Sequence, residues 1–231
     1  MHFIPKQWEQ RLNELQVLWS HSGNPKQPHA LLTKGGHSNG FFNGGVLLFD
    51  HPRLARMMCE DLIERHFLQD LVRPAKLRVF LKDMANVEKL DRVIGPAFGA
   101  ISLASTMADV LNVGYCFTVS KGDGKEKTFE VEKRFDVAGK VLLATEDTIT
   151  TSDSIAKTIA AAEAKGAIVL PIVTAICNRS GLTHVGERPI IAFVNKPMEN
   201  WAPDECPLCK AGSHAIRPKE AGNWAALSAP Y

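Results

Sequence analysis

The sequence predicts an α/β fold built on a parallel sheet flanked by helices, and three stretches carry that prediction. In the first, the apolar run Val141-Leu142-Leu143-Ala144 stops at the carboxylates Glu146 and Asp147, crosses a hydroxyl-rich turn and enters a helical pattern over residues 155–165. In the second, Gly166 closes that helix and residues 168–177 form a near-continuous apolar run, as a strand buried on both faces does. In the third, Asp91-Arg92-Val93-Ile94 breaks at the Gly95-Pro96 turn into a helix over residues 101–111. Strand, helix and strand in succession imply parallel pairing through a right-handed crossover.

Composition bounds the rest. At 231 residues and 45% hydrophobic content the chain suits a single domain. N-terminal helices and a flap are expected to about residue 70, a core over 90–195 and a tail over 196–231. Twenty-seven basic against 25 acidic residues leave a net charge of +2, without the Lys/Arg block that tracks a nucleic-acid backbone, so nucleic acid is not an expected partner. The start has no signal-like apolar core and no run of about 18 apolar residues occurs, which predicts a cytoplasmic protein with no membrane partner. Five irregularly spaced cysteines fit a reducing compartment.

In chain order, Trp8, Leu12, Leu15 and Trp19 recur at helical spacing before Gly23 and predict an amphipathic helix over residues 6–20. Residues 30–45 hold five glycines beside Lys34, Phe41 and Phe42, a poor core element but a plausible ligand-contacting hairpin or loop; two alternating strand residues would also account for the Phe pair. Pro52 opens a helix to about residue 68 with Leu54, Met57, Met58, Leu62 and Phe67 on its apolar face and Cys59 as a buried small hydrophobe. Residues 70–90 mix the apolar patch Leu77 to Leu81 with charges and give no firm element. A strand over 114–119 precedes the glycine-spaced, basic stretch from Ser120 through Lys121 and Lys125 to Arg134, and a last strand spans 189–195. Such a cationic loop can close over a polyanion, although exposed lysines are ordinarily just solvated. Neither Gly124-Lys125 nor Gly139-Lys140 has the surroundings of a P-loop.

The turn after Asp147 carries the most chemistry. A helix start leaves backbone N–H groups unpaired at the positive end of the helix dipole, and the hydroxyls of Thr150, Thr151, Ser152 and Ser154 can donate beside them, which suits a phosphate. Glu146 and Asp147 at a strand's carboxyl end can accept from the hydroxyls of a sugar diol. A helix capped by Ser152 or Asp153 behind a solvated acidic pair would show the same residues.

This stretch resembles the phosphoribosyl-pyrophosphate (PRPP) signature of the type I phosphoribosyltransferases: apolar residues, two acidic ones, two more, then a Thr-rich turn. From about Thr33 to Lys219 the chain is similar to the orotate phosphoribosyltransferases of that family. The resemblance implies a type I phosphoribosyltransferase fold with an N-terminal base-binding flap. It places PRPP on Glu146, Asp147, Thr148, Thr150, Thr151, Ser152, Asp153 and Ser154, on the Gly95-Pro96 turn, and on Lys121 and Lys125. Asp147, Lys121 and Lys125 are implied to be catalytic. Lys34, Phe41 and Phe42 would form one wall of the base pocket, and Arg179 would hold an orotate carboxylate.

Mg²⁺ is the implied cofactor, carried on PRPP rather than on protein carboxylates, and a homodimer is the implied assembly. Ser152-Asp153 stands where the signature has Gly-Gly or Gly-Lys, so a phosphate site requires Asp153 to turn away, for instance as the helix cap. Ser120 stands in place of an Arg and Asn178 in place of an Asp.

The reaction implied joins a pyrimidine, orotate first, to PRPP with release of pyrophosphate; a phosphoribosyltransferase for another base and a non-catalytic PRPP or nucleotide sensor are the rivals. In the tail, Cys206 and Cys209 could supply two zinc ligands. A site needs four, and only His214 lies close by in sequence, so plain structural packing is expected there.

Overall fold

The computed structural model describes residues 5–32, 35–67, 89–122 and 128–231. The chain divides into two compact units, one made of Met1–Leu47 with Pro197–Tyr231 and the other of Leu48–Lys196. The expected element-poor region 70–90 falls largely outside the described residues.

The first unit opens with α1 (Pro5–Glu14) and the short strands β1 (Leu18–Ser20), β2 (His29–Leu31), β3 (His37–Ser38) and β4 (Gly40–Phe42). The helix expected over 6–20 ends at Glu14. Gln16 adopts a left-handed φ of 59° while the Val17 and Gln16 amides return to the Leu12 and Asn13 carbonyls, which closes the helix in the manner of a C-cap motif. Trp8 and Leu12 are buried from the helix, but Trp19 is buried from β1, opposite Phe41 of β4. Helical and extended segments thus supply one apolar stripe that the sequence presents as continuous.

The second unit begins with α2 (Pro52–Phe67), whose inner face carries Ala55, Met58, Cys59, Leu62 and Ile63, whereas Met57 is exposed. It continues through β5 (Arg92–Pro96), α3 (Gly99–Leu111), β6 (Gly114–Lys121), β7 (Thr128–Val131), β8 (Val141–Ile149), α4 (Asp153–Ala164), β9 (Ile168–Asn178), β10 (His184–Val185) and β11 (Arg188–Asn195). The sheet order is β10-β11-β9-β8-β5-β6-β7, with parallel pairing from β11 to β6 and an antiparallel strand at each edge. Helices cover both faces. On β8, Leu142 and Ala144 join Ile155, Ile159 and Ala162 of α4 in one apolar cluster. On the other side the Thr174 hydroxyl reaches Met107 of α3. Strands covered on both faces lose the alternation that exposed strands show, which explains the unbroken apolar runs.

Two features depart from expectation. The stretch from Ser120 to Arg134 is not loop throughout: Thr128–Val131 pairs with β6 and buries Phe129 and Val131, a two-residue alternation hidden by the charges around it. Strand β8 does not stop before the carboxylates but runs through Glu146 and Asp147 to Ile149. A buried hydroxyl contact of 2.7 Å between Thr118 and Thr158 ties α4 to β6, so the turn that precedes α4 is held on rigid elements at both ends.

The chain then returns to the first unit as β12 (Asn200–Trp201), α5 (Pro207–Lys210), β13 (Ala215–Ile216) and α6 (Asn223–Ser228). There β12 pairs with β3 and β13 with β2, in the order β12-β3-β2-β13. Trp19, Ala30, Trp224 and Leu227 form an apolar cluster with Phe41 packed against it.

Candidate active site

Parallel strands end together, so the turns that leave β5 and β8 meet at the carboxyl edge of the sheet. There Pro96, Gly99, Glu146, Asp147 and the turn from Thr148 to Ser154 line a cavity of about 270 Å³ that Phe129 of β7 also borders. The second unit therefore gathers Pro96, Glu146, Asp147, Thr148, Thr150, Thr151, Ser152, Asp153 and Ser154 of the expected PRPP set around one space. Gly95 lies just behind it. A Cβ on Gly95 would meet Ala100 Cβ at 2.8 Å and the Thr145 carbonyl at 3.0 Å, so only glycine lets β5 turn this close to α3 and β8.

The two carboxylates differ in environment. Asp147 is partly exposed; its Oδ1 accepts the Thr148 N–H at 2.7 Å, and a Cβ on Gly99 would stand 3.0 Å from its Oδ2. The start of α3 thus packs directly on this carboxylate. Glu146 is 7% exposed. Burial, the neighbouring Asp147 charge and a hydrogen bond to that carboxylate raise its pKa well above the ordinary carboxyl range.

That shift has a stability signature. Unfolded, Glu146 ionises near pH 4.3 or so; folded, it holds its proton to higher pH. Its contribution is complete below the unfolded value and is lost as pH rises through the raised folded value. Glu146→Gln is neutral at every pH. Its stability relative to wild type should therefore grow with pH across that interval, by at most about 1.4 kcal/mol per pH unit. Urea titrations of both proteins from about pH 4.5 to 8.5 check it. Parallel curves would show that the buried carboxyl is not neutral.

The turn itself explains the departure from the signature. Ser152 sits at the helix N-cap with φ 59° and ψ −5°, the left-handed region that glycine enters freely and that costs other residues roughly 1–2 kcal/mol. The backbone keeps the shape a glycine would give, without the glycine. Neither Ser152 nor Asp153 caps the helix through its side chain, contrary to the expected cap. Asp153 is instead the first residue of α4 and is drawn 3.0 Å from Lys157 one turn on, which directs its charge along the helix and partly neutralises it.

Arg179 comes directly after β9 at the same edge. Its backbone N–H donates to the Ile149 carbonyl at 3.0 Å, and its side chain is buried, which lowers its pKa from the ordinary guanidinium value. Asn178, where the resemblance expects Asp, organises the turn beyond: its amide donates to Leu182 O at 2.7 Å and its Oδ1 accepts from the Ser180 hydroxyl at 2.7 Å. Lys121 ends β6 and pairs with Glu130 across the hairpin at 2.5 Å. Lys125 and Lys34 lie outside the described residues.

In the first unit, Phe42 is buried, and Phe41 is half-buried with its ring 6.3 Å from that of Trp224, edge on. Cys206 and Cys209 do not sit beside His214, which is exposed, but against His29 and His37. Sequence proximity, which offered only His214, gave no hint of these partners.

No family model matches the chain. The chain is 34% identical over 194 residues to the orotate phosphoribosyltransferase of Caldicellulosiruptor saccharolyticus, covering 82% of this chain and 87% of that one. It is 33% identical over 196 residues to the orotate phosphoribosyltransferase of Thermus thermophilus, covering 84% and 94%. Among solved structures, the orotate phosphoribosyltransferase of Aeropyrum pernix matches with a TM-score of 0.57 at 19% identity, covering 80% of this chain and 92% of that one. A phosphoribosyltransferase of Corynebacterium diphtheriae matches with a TM-score of 0.53 at 18% identity, covering 82% and 94%. The structural likenesses establish a type I phosphoribosyltransferase fold.

Proposed function

Because the chain belongs to the orotate phosphoribosyltransferase family, we propose that the cavity at the carboxyl edge of its sheet receives PRPP and that Arg179 reads the carboxylate of orotate. The reaction is transfer of the phosphoribosyl group from PRPP to orotate with release of pyrophosphate, a step of pyrimidine nucleotide synthesis. The observation that carries the PRPP site is the single cavity shared by the acidic pair and the hydroxyl-rich helix start.

In this reading the 5-phosphate takes the unpaired N–H groups at the start of α4 and the hydroxyls of Thr150, Thr151 and Ser154. The Asp147 carboxylate accepts from the ribose hydroxyls. The C1–O bond of PRPP breaks with its electron pair leaving on pyrophosphate, and an orotate ring nitrogen forms the new bond to C1 as its proton departs. The anomeric carbon becomes oxocarbenium-like on the way, so fixed negative charge beside the ribose and cations beside the pyrophosphate favour the transition state over the ground state. Lys121 and Lys125 are the proposed cations. Lys121 must exchange Glu130 for the pyrophosphate, and because that ion pair is exposed the exchange costs little. The resemblance assigns the faces and carbonyl edge of the base to Phe41, Phe42 and Lys34.

The donor set fits Mg²⁺ held chiefly by substrate oxygens: Asp147 is the more exposed carboxylate of the pair, while burial of Glu146 raises its pKa and disfavours the charged form an ion would need. Bound so, Mg²⁺ would neutralise pyrophosphate charge. A cytoplasmic homodimer, each partner lending a loop lysine to the other, belongs to the same proposal. The cysteines, all free, suit a reducing compartment, and among the described residues no helix is long and apolar enough to cross a membrane.

Mixing protein, Mg²⁺ and PRPP with orotate, uracil, adenine or hypoxanthine tests the assignment directly. Pyrophosphate release is expected with orotate at a rate well above that with any other base. Release with another base alone overturns the choice of substrate. PRPP binding without release from any base leaves a binding protein on the same fold.

A further inference from the structure

The cysteine pair of the tail meets two histidines that lie 172 and 177 positions away in sequence, all within the first unit. Cys209 Sγ stands 3.2 Å from His37 Nδ1 and 3.5 Å from His29 Nε2, Cys206 Sγ stands 3.5 Å from His29 Nε2, and the two ring nitrogens are 3.0 Å apart. All four ligand atoms fall within 4.8 Å of one another, and His29, His37 and Cys206 are buried. A tetrahedral zinc ion, with Zn–S about 2.3 Å and Zn–N about 2.0–2.1 Å, sets its ligand atoms roughly 3.3–3.8 Å apart. The four shortest separations, 3.0–3.5 Å, lie at or just below those edges, and no pair of the four atoms is more than 4.8 Å apart.

The surroundings orient one ligand as a metal would require. Ser213 donates its hydroxyl proton to the Gln27 carbonyl at 2.6 Å, so toward His29 Nδ1, 2.8 Å away, its oxygen can only accept. Nδ1 therefore carries the proton. The Nε2 lone pair is left facing the two sulfurs, an arrangement in which the second ring nitrogen is fixed from outside the coordination shell.

We propose that His29, His37, Cys206 and Cys209 bind one structural zinc ion. Four protein ligands of the two-nitrogen, two-sulfur kind complete a closed tetrahedral shell with no position left for substrate. A two-iron cluster would place histidines and cysteines on different metal atoms, and nitrogens would not then approach sulfurs to 3.2–3.5 Å. Both thiols are free, and a disulfide would leave two imidazoles facing each other with nothing between them. His29 lies on β2, His37 on β3, Cys206 just before α5 and Cys209 within it, so the ion ties the N-terminal hairpin to the C-terminal segment. Two weak two-residue pairings, β12 with β3 and β13 with β2, are otherwise the sheet's link between those parts.

The full-length protein, purified without chelator after growth with added zinc, should carry about one zinc per chain by elemental analysis. Replacement with Co²⁺ should give the intense visible bands of a tetrahedral ion and a near-ultraviolet thiolate charge-transfer band. Cys206→Ser with Cys209→Ser should remove that band and lower zinc to about a tenth of an equivalent or less, and His37→Ala should weaken retention, while His214→Ala should retain wild-type zinc. Chelation of the wild type should lower the thermal midpoint by about 10 °C or more. Wild-type protein with neither stoichiometric zinc nor a thiolate band on Co²⁺ titration overturns the proposal, whether or not the variants fold. So does a double-cysteine variant that keeps wild-type zinc, or stoichiometric binding of another metal in its place.

Discussion

Arg179→Ala is expected to lower the specificity constant for orotate by about 30- to 150-fold, or roughly 2–3 kcal/mol. Orotate differs from uracil by one carboxylate, so selection between them needs a cation held in place, and a planar guanidinium can meet a carboxylate with two parallel hydrogen bonds. The main chain of Arg179 is anchored, its backbone N–H donating to Ile149 O and the Asn178 turn fixing the chain just beyond it, and its side chain is buried. Burial makes the partner more valuable, because water no longer competes for the guanidinium. Uracil offers no such partner, so the preference for orotate should narrow in the variant, and Arg179→Lys should restore only part of it because an ammonium has no fork. Turnover of orotate and uracil by the three proteins measures this. An orotate constant within about twofold of wild type in Arg179→Ala would remove Arg179 from the base site.

Asp147→Asn is expected to weaken PRPP binding by roughly 1.5–3 kcal/mol, or about 10- to 150-fold, with the fold intact. The substitution keeps the shape packed against Gly99 and deletes the charge offered to the ribose hydroxyls. Glu146→Gln provides the contrast. That side chain is buried and its pKa is raised by burial and the neighbouring Asp147, which disfavours its charged form, so Glu146→Gln should affect PRPP affinity far less. Calorimetric titration of both variants with PRPP and Mg²⁺ separates the two carboxylates. Equal losses would mean that the acidic pair acts as a unit and that Glu146 is charged in the complex; unchanged affinity in Asp147→Asn would move the diol elsewhere.

Local patterns alone determined the centre of this protein. A strand buried on both faces must be apolar throughout, and a helix that covers it must be apolar on one side, so β8, α4 and β9 were legible from residues that are neighbours in sequence. The acidic pair and the hydroxyl-rich turn were legible for the same reason: one strand end and one helix start place them side by side. Tertiary structure decided what depends on partners. The Trp8 to Trp19 stripe has helical spacing, yet Trp19 belongs to β1 because it is buried opposite Phe41 on another strand. Glu146 and Asp147 are adjacent and alike in sequence, and only the fold, which buries the first and leaves the second partly exposed, gives them different surroundings. Ser152 reads as a poor substitute for glycine until its left-handed backbone shows that the turn imposes its shape on the residue. The cluster of His29, His37, Cys206 and Cys209 was hidden for the plainest reason: a sequence orders residues along the chain, whereas a cluster requires convergence in space, and the return of the chain through β12 and β13 brings residues 29, 37, 206 and 209 together.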